Sequence, residues 1–174
     1  NADGGRLVGE HLVALGRRQV AFLGYASRGY PEFLDRYSGC EAALQAAGLA
    51  LDPALQVDAD SSEEAGYIAA MALVERGQPF DAVFAASDLI AIGAIRALAE
   101  KGLRVPEDVV VVGFDDIPTA RFTNPSLTTV VQDTARAGAL LVETLLKLVK
   151  GETAESVTLP AQLVVRRSSG AAAG

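Results

Sequence analysis

Val109-Val110-Val111-Val112-Gly113-Phe114 is the stretch that decides the fold. Four consecutive valines put β-branched side chains on both faces of one strand, which suits a central strand covered on both sides. A strand with one wet face alternates apolar and polar residues instead. Working outward, Val20-Ala21-Phe22-Leu23-Gly24 and Asp81-Ala82-Val83-Phe84-Ala85 are further short apolar runs, and Ala54-Leu55-Gln56-Val57 reads as a weaker edge strand. Helical spacing fills the gaps. Val8, His11, Leu12 and Leu15 fall at i, i+3, i+4 and i+7, with Gly16 as a stop. Cys40, Ala43, Leu44 and Ala47 repeat the pattern before Gly48. Ala65, Ile68, Ala69 and Ala72 do so before Gly77, and Ala91, Ala94, Ile95 and Leu98 before Gly102. Strands that alternate with helices over such short connections must run parallel, with right-handed crossovers. The expectation is an α/β fold, a doubly wound parallel sheet of about four strands.

After Phe114 the rhythm changes. Asp115 to Pro125 reads as a loop, and Leu127-Thr128-Thr129-Val130-Val131 as a strand. Residues 133–150 form a long helix with Ala137, Leu141, Leu145 and Leu148 on one stripe. Val157-Thr158-Leu159 and Leu163-Val164-Val165 read as two short strands around Pro160. One helix and two or three strands are too little to close a core. The leucine stripe therefore needs a partner surface, by dimerisation or otherwise. Residues 168–174, Ser-Ser-Gly-Ala-Ala-Ala-Gly, read as a disordered tail.

Composition excludes several classes. The 174 residues carry 22 acidic and 15 basic side chains, a net charge of −7. Residues 37–127 hold 14 acids against 5 bases, the wrong sign for gripping a duplex. Half the residues are apolar, enough for a core, and no run approaches the roughly 18 apolar residues of a membrane helix. Cys40 is the only cysteine, so no internal disulfide forms. The first residue is Asn1 and the only methionine is Met71, so the chain reads as a fragment or a processed form.

In an open parallel sheet, ligands bind at the carboxyl ends of the strands. Those ends read Gly24-Tyr25-Ala26, Asp58-Ala59-Asp60-Ser61, Ala86-Ser87-Asp88 and Phe114-Asp115-Asp116, and Arg36 starts the helix that opens on the same edge. With Tyr25, Tyr30 and Phe33 the edge suits a small polyhydroxylated or zwitterionic molecule: charged forks hold adjacent hydroxyls and an aromatic covers an apolar sugar face. Each residue also has a plainer reading. Ser61 with Glu64 matches a capping box, and Ser87 and Asp88 suit the cap of the next helix. Arg36 can pair with Asp35 or Asp115 at the surface, and at least one of Asp115 and Asp116 suits a solvated turn. His11 lies on an apolar stripe and reads as structural. Signals for an enzyme are poor: His11 and Cys40 sit on separate helices with no orienting third group. There is no phosphate loop, dinucleotide fingerprint, nucleophile elbow or metal-ligand spacing. No cofactor, metal or catalytic residue is expected.

Several motifs then align with one family. Asn1-Ala2-Asp3-Gly4-Gly5, Glu10-His11-Leu12-Val13-Ala14-Leu15-Gly16 and Val20 to Gly24 are similar to the central part of the lactose-repressor/galactose-repressor family of bacterial transcription regulators. Arg36-Tyr37-Ser38-Gly39 resembles its Arg-x-x-Gly helix start. Phe80 to Asp88, Ile90 to Ala94, Val105-Pro106, Val111 to Asp116 and Pro125 to Gln132 continue the likeness over nearly the whole chain. The resemblance implies a two-lobed effector-binding domain like that of periplasmic sugar-binding proteins, with a small sugar-like effector in the cleft. It implies a cytoplasmic homodimer that meets operator DNA only through an N-terminal helix-turn-helix lying outside these residues, and no membrane contact. Residues 1–126 would be the C-terminal lobe, 127–132 the crossover or hinge, and 133–167 the returning part of the other lobe. With one cleft wall thus incomplete, weakened ligand binding is expected of the isolated chain. The likeness puts Arg36 and Asp115 on the family's ligand-binding arginine and aspartate. It puts Ser87 where some sugar-binding members have Asn, and Gln132 on a cleft position near the hinge. Ser61 departs from the pattern, standing where several members use an aromatic to cover the ligand; Tyr25, Tyr30 or Phe33 could substitute. The alternative is a periplasmic sugar-binding protein feeding a transporter, which shares the lobes and needs a signal peptide and no DNA-reading head.

Overall fold

A computed structural model describes residues 1–27 and 29–170. The elements run α1 (Ala2–Ala14), β1 (Val20–Leu23), α2 (Pro31–Ala46), β2 (Gln56–Val57), α3 (Glu63–Glu75), β3 (Ala82–Ala85), α4 (Asp88–Glu100), β4 (Val110–Val112), β5 (Thr129–Gln132), α5 (Thr134–Val149) and β6 (Ala161–Val164). Strands β1 to β4 form one parallel sheet in the order β2-β1-β3-β4. The alternating apolar helices leave no other pairing. The chain steps one way from β1 to β2 and the other way from β2 to β3, so right-handed crossovers put α2 and α3 on opposite faces. The residues of β1, β3 and β4 are buried throughout, as runs without alternation require. β2 is a two-residue edge strand whose side chains are half-buried.

The helices pair two and two, α1 with α2 and α3 with α4. Glycine sets both approaches. A Cβ at Gly5 would collide with the Arg36 carbonyl, and one at Gly93 with the Glu63 carbonyl. Backbones this close leave no room for a side chain. Phe22, Phe84, Phe114, Leu12, Leu44, Leu73 and Leu98 fill the core between the layers.

The chain then departs from the sheet and returns. β5 and β6 form an antiparallel pair, Thr129 opposite Val164 and Gln132 opposite Ala161, and α5 follows β5. The stripe on α5 is exposed: Leu141 at 70%, Leu145 at 59% and Leu148 at 56%.

Three expectations are corrected. Residues 157–159 form no strand; the segment runs into Pro160, which has no N–H to donate to a ladder, and only β6 pairs with β5. Arg36 does not start its helix: α2 begins at Pro31, a residue whose locked φ suits a first turn, and Arg36 lies in the second turn. Residues 168–170 are not a disordered tail. Arg167–Ser169 form a 3-10 turn with Ser168 and Ser169 buried; residues 171–174 lie outside the described ones. Ser168 is anchored on three sides. Its Oγ donates to the Val111 carbonyl (2.6 Å) and accepts the Thr128 N–H (2.8 Å), and its N–H donates to the Ser126 carbonyl (2.9 Å). Ser169 Oγ meets Thr128 Oγ1 (2.7 Å) and His11 Nε2 (2.8 Å). His11 is therefore the satisfied structural histidine that its position on α1 suggested.

Candidate effector-binding site

The site is built at the carboxyl ends of β1, β3 and β4, where the sheet order reverses between β1 and β3. Gly24 ends β1 with φ +146°, and a Cβ there would stand 2.5 Å from the Ala86 Cβ. That glycine lets the two strand tips converge.

Arg36 and Asp115, read from opposite parts of the sequence, meet here. Arg36 is 6% exposed. Long helical side chains lean toward the N-terminus of their helix, so a second-turn arginine still reaches the strand tips. Its Nη2 donates to Asp115 Oδ1 (3.1 Å), its Nη1 to the Ala86 carbonyl (2.5 Å) and its Nε to Asn1 Oδ1 (3.2 Å). The guanidinium lies 3.9 Å from the centroid of the Phe114 ring. Burial pushes the Arg36 guanidinium down from its ordinary range, against the pull of Asp115. Burial also pushes Asp115 up, against the pull of Arg36. Desolvation thus outweighs attraction on both sides of the pair. A polar ligand that accepts from the guanidinium and donates to the carboxylate relieves part of that cost. Asp35 is not the partner. The pair is a partly buried one, with Asp115 the more open member at 38%.

The turn after β4 also departs from expectation. Neither Asp115 nor Asp116 is a free solvated turn residue. Asp116 accepts from Arg166 Nη2 (2.7 Å), a residue on the returning segment 50 positions away. Both aspartates have positive φ, 109° and 49°.

The remaining candidates are placed as follows. Ser61 Oγ donates to Ser87 Oγ (2.9 Å). Ser61 makes no capping box with Glu64; Ser62 caps α3 by accepting the Ala65 N–H (3.1 Å), because it, not Ser61, directly precedes the first helical residue. Ser87 caps α4, accepting the Ile90 N–H (3.4 Å), and is buried. Tyr25 and Tyr30 stack with centroids 4.3 Å apart and planes 11° apart, and the Tyr30 hydroxyl donates to Asp60 (3.2 Å). Phe33 is 5% exposed and lies against Arg36, so it offers no open ring face, which leaves Tyr25 and Tyr30 as the more open aromatics of this edge. Gln132 ends β5 half-buried. It shares a hollow of about 330 Å³ with Asn1, whose side chain already touches Arg36. Asn1, Asp88 and Arg166 also build the site, and local sequence gives little sign of it. Asn1 belongs to no periodic pattern, Arg166 lies in a segment with no periodicity, and Asp88 reads locally as a helix-cap residue. Cys40 is buried and its thiol is pushed up to about 12 by burial, which makes it unreactive. Among the described residues no group of acids, His and Cys could hold a metal ion, and no helix is long and apolar enough to cross a membrane.

The structure is thus an α/β fold with a parallel sheet whose strand tips gather polar and aromatic side chains. A family model for the periplasmic-binding-protein-like domain matches residues 9–169. The HTH-type transcriptional regulator CelR of Thermobifida fusca is 38% identical over 170 residues, 97% of this chain and 50% of the relative. Among solved structures, a CelR–cellobiose complex superposes with a TM-score of 0.90 at 38% identity, over 97% of this chain and 52% of that one. A lac repressor dimer bound to operator and an anti-inducer superposes with a TM-score of 0.90 at 35% identity, over 98% and 51%. The chain belongs to the periplasmic-binding-protein-like domain family, and the relatives and solved structures it resembles are transcription regulators, the lac repressor among them. It spans about half the length of the relatives it matches.

Proposed function

We propose that this chain is the larger part of the effector-sensing domain of a DNA-binding transcription regulator. In this reading a small polar metabolite, sugar-like in its hydroxyls, binds at the strand tips. Arg36 and Asp115 hold it from below, Ser61, Ser87 and Gln132 reach its flanks, and Tyr25 with Tyr30 covers one face. The observation that carries the reading is the meeting of Arg36 and Asp115 where β1, β3 and β4 end. The CelR–cellobiose complex, 38% identical, supports a sugar as effector. Residues 1–126 act as one lobe, 127–132 as the hinge and 133–167 as part of the other. Operator DNA is met through a helix-turn-helix outside these 174 residues, as the names of the relatives suggest, because a chain of net charge −7 is poorly suited to a duplex. The protein acts in the cytoplasm as a homodimer and turns over no substrate.

The mechanism is linkage. An effector that binds the closed arrangement of lobes better than the open one shifts the equilibrium by its differential affinity, on the usual scale of about 1–3 kcal/mol. The test is calorimetry on the full-length protein with cellobiose and a panel of mono- and disaccharides and nucleosides, alongside Arg36→Ala and Asp115→Asn. Saturable binding without conversion, lost in both variants, is expected. Binding that survives both substitutions, or turnover of the bound molecule, refutes the reading.

A further inference from the structure

Among the described residues Asp88 is the only acidic side chain with no exposed surface. It follows Ser87, which does the capping, so its carboxylate is free for other work. Oδ2 accepts the Ile117 N–H (2.9 Å) and Oδ1 accepts the Thr129 hydroxyl (2.5 Å). That same Thr129 oxygen accepts the Asp116 N–H (3.3 Å), and the Asp88 N–H donates to the Phe114 carbonyl (2.8 Å). The residue before Asp115 and the two after it are thus all tied to Asp88, directly or through one hydroxyl. Space is reserved for the arrangement, since a Cβ at Gly113 would strike Asp88 Oδ1. The turn needs such fastening. Asp115 and Asp116 both hold positive φ, which non-glycine residues keep only where their surroundings over-determine it.

We propose that Asp88 is the positioning residue of the effector site: its carboxylate locks the Asp115–Ile117 turn, aims Asp115 at Arg36, and joins that aim to the first residue of β5. The inference rests on the reading of Asp115 as the effector-binding carboxylate. It adds that the aim of Asp115 is tied to the crossover segment through Thr129. The charged groups around the lock are Asp115 and Asp116, with Arg36 beyond the first, and Arg166 (2.7 Å) and Arg121 (3.9 Å) on the second. Burial first, then repulsion from Asp115 and Asp116, pushes Asp88 up to about 6, against the bonds from Thr129 and Ile117. Protonation near that pH weakens the acceptor for the Ile117 N–H, so the aim of Asp115 loosens under mild acid.

The test needs no effector. In the 174-residue chain, the amides of Asp116 and Ile117 are followed by NMR titration and hydrogen exchange. Both are expected to titrate with a midpoint near 6. In Asp88→Asn the titration vanishes and Ile117 exchanges about tenfold faster, while amides of β1 and β3 keep their protection. Should Asp88→Asn fail to fold, Thr129→Val decides: loss of its hydroxyl moves the Ile117 midpoint upward. An Ile117 amide that neither titrates nor responds to either variant overturns the inference, as does faster exchange spread evenly over the sheet. Cellobiose calorimetry on full-length Asp115→Asn separates the two levels. Unchanged binding there sinks the functional reading while leaving the lock intact.

Discussion

Replacing Arg36 with methionine keeps the buried stem and removes the guanidinium. Its bond to Asn1 Oδ1 and its contact with Phe33 go with it, as do three further interactions. The Ala86 carbonyl, buried and bonded at 2.5 Å, loses its donor, a cost of about 1–3 kcal/mol. The contact over the Phe114 ring at 3.9 Å contributes about 1–2 kcal/mol when desolvated. The bond to Asp115 counts for about 1 kcal/mol or less, because that carboxylate is 38% exposed and partly screened. Against these stands the relief of no longer burying a charge, the same burial that lowers the Arg36 pKa. The balance is a net loss of about 2–4 kcal/mol, somewhat below the usual cost of breaking a fully buried pair. Urea denaturation followed by circular dichroism reads this directly. With a slope of about 2 kcal/mol/M, the midpoint falls by about 1–2 M. Combining Arg36→Met with Asp115→Asn recovers part of the loss, because the stranded carboxylate is then neutral. A single-variant loss within about 0.5 kcal/mol, the range of an ordinary surface change, refutes the buried-pair account.

Gly93→Ala drives a methyl into the Glu63 carbonyl and is expected to cost about 1–3 kcal/mol in the same assay by prying α3 from α4; an unchanged midpoint argues against that packing. Burial lowers the His11 pKa below its ordinary 6.5, so the unfolded chain binds the proton first as pH falls. Stability is then full above 6.5 and declines through the window beneath it, a slope that His11→Gln flattens in thermal melts; parallel melts for both proteins contradict this. The open stripe at Leu141, Leu145 and Leu148 predicts concentration-dependent association of the isolated chain by sedimentation. Leu141→Glu with Leu145→Glu suppresses it, and a strictly monomeric parent counts against the prediction.

What the sequence displayed and what it concealed follow from range. β1, β3 and β4 were legible because a doubly covered strand advertises itself in four or five adjacent residues. The helices were legible because their period repeats within two turns. Arg36 and Asp115 could be assigned to one edge because strand tips collect at one end of a parallel sheet. Ser168 and Ser169 were hidden, since small polar residues look like tail until the partners at Thr128 and Val111 are known. Asp116 looked solvated because its cation, Arg166, lies 50 residues on. The Ser61 and Ser62 caps differ by one position, within the uncertainty of any helix start. Asp88 looked like a cap because nothing local distinguishes a carboxylate that turns outward from one that is fully enclosed.

The staple between the outgoing and returning passes has a mechanical consequence. Thr128 binds Arg166 and Ser168 through both backbone and side chain, so the two passes leave the sheet as one ribbon rather than two loose tethers. Such a ribbon flexes across its width but resists splaying, and its first unclamped point lies past Gln132 and Ala161, where the β5–β6 pairing ends. Any swing of α5 is therefore levered about the β5–β6 end, a short arm away from the carboxylate whose direction Thr129 helps to set.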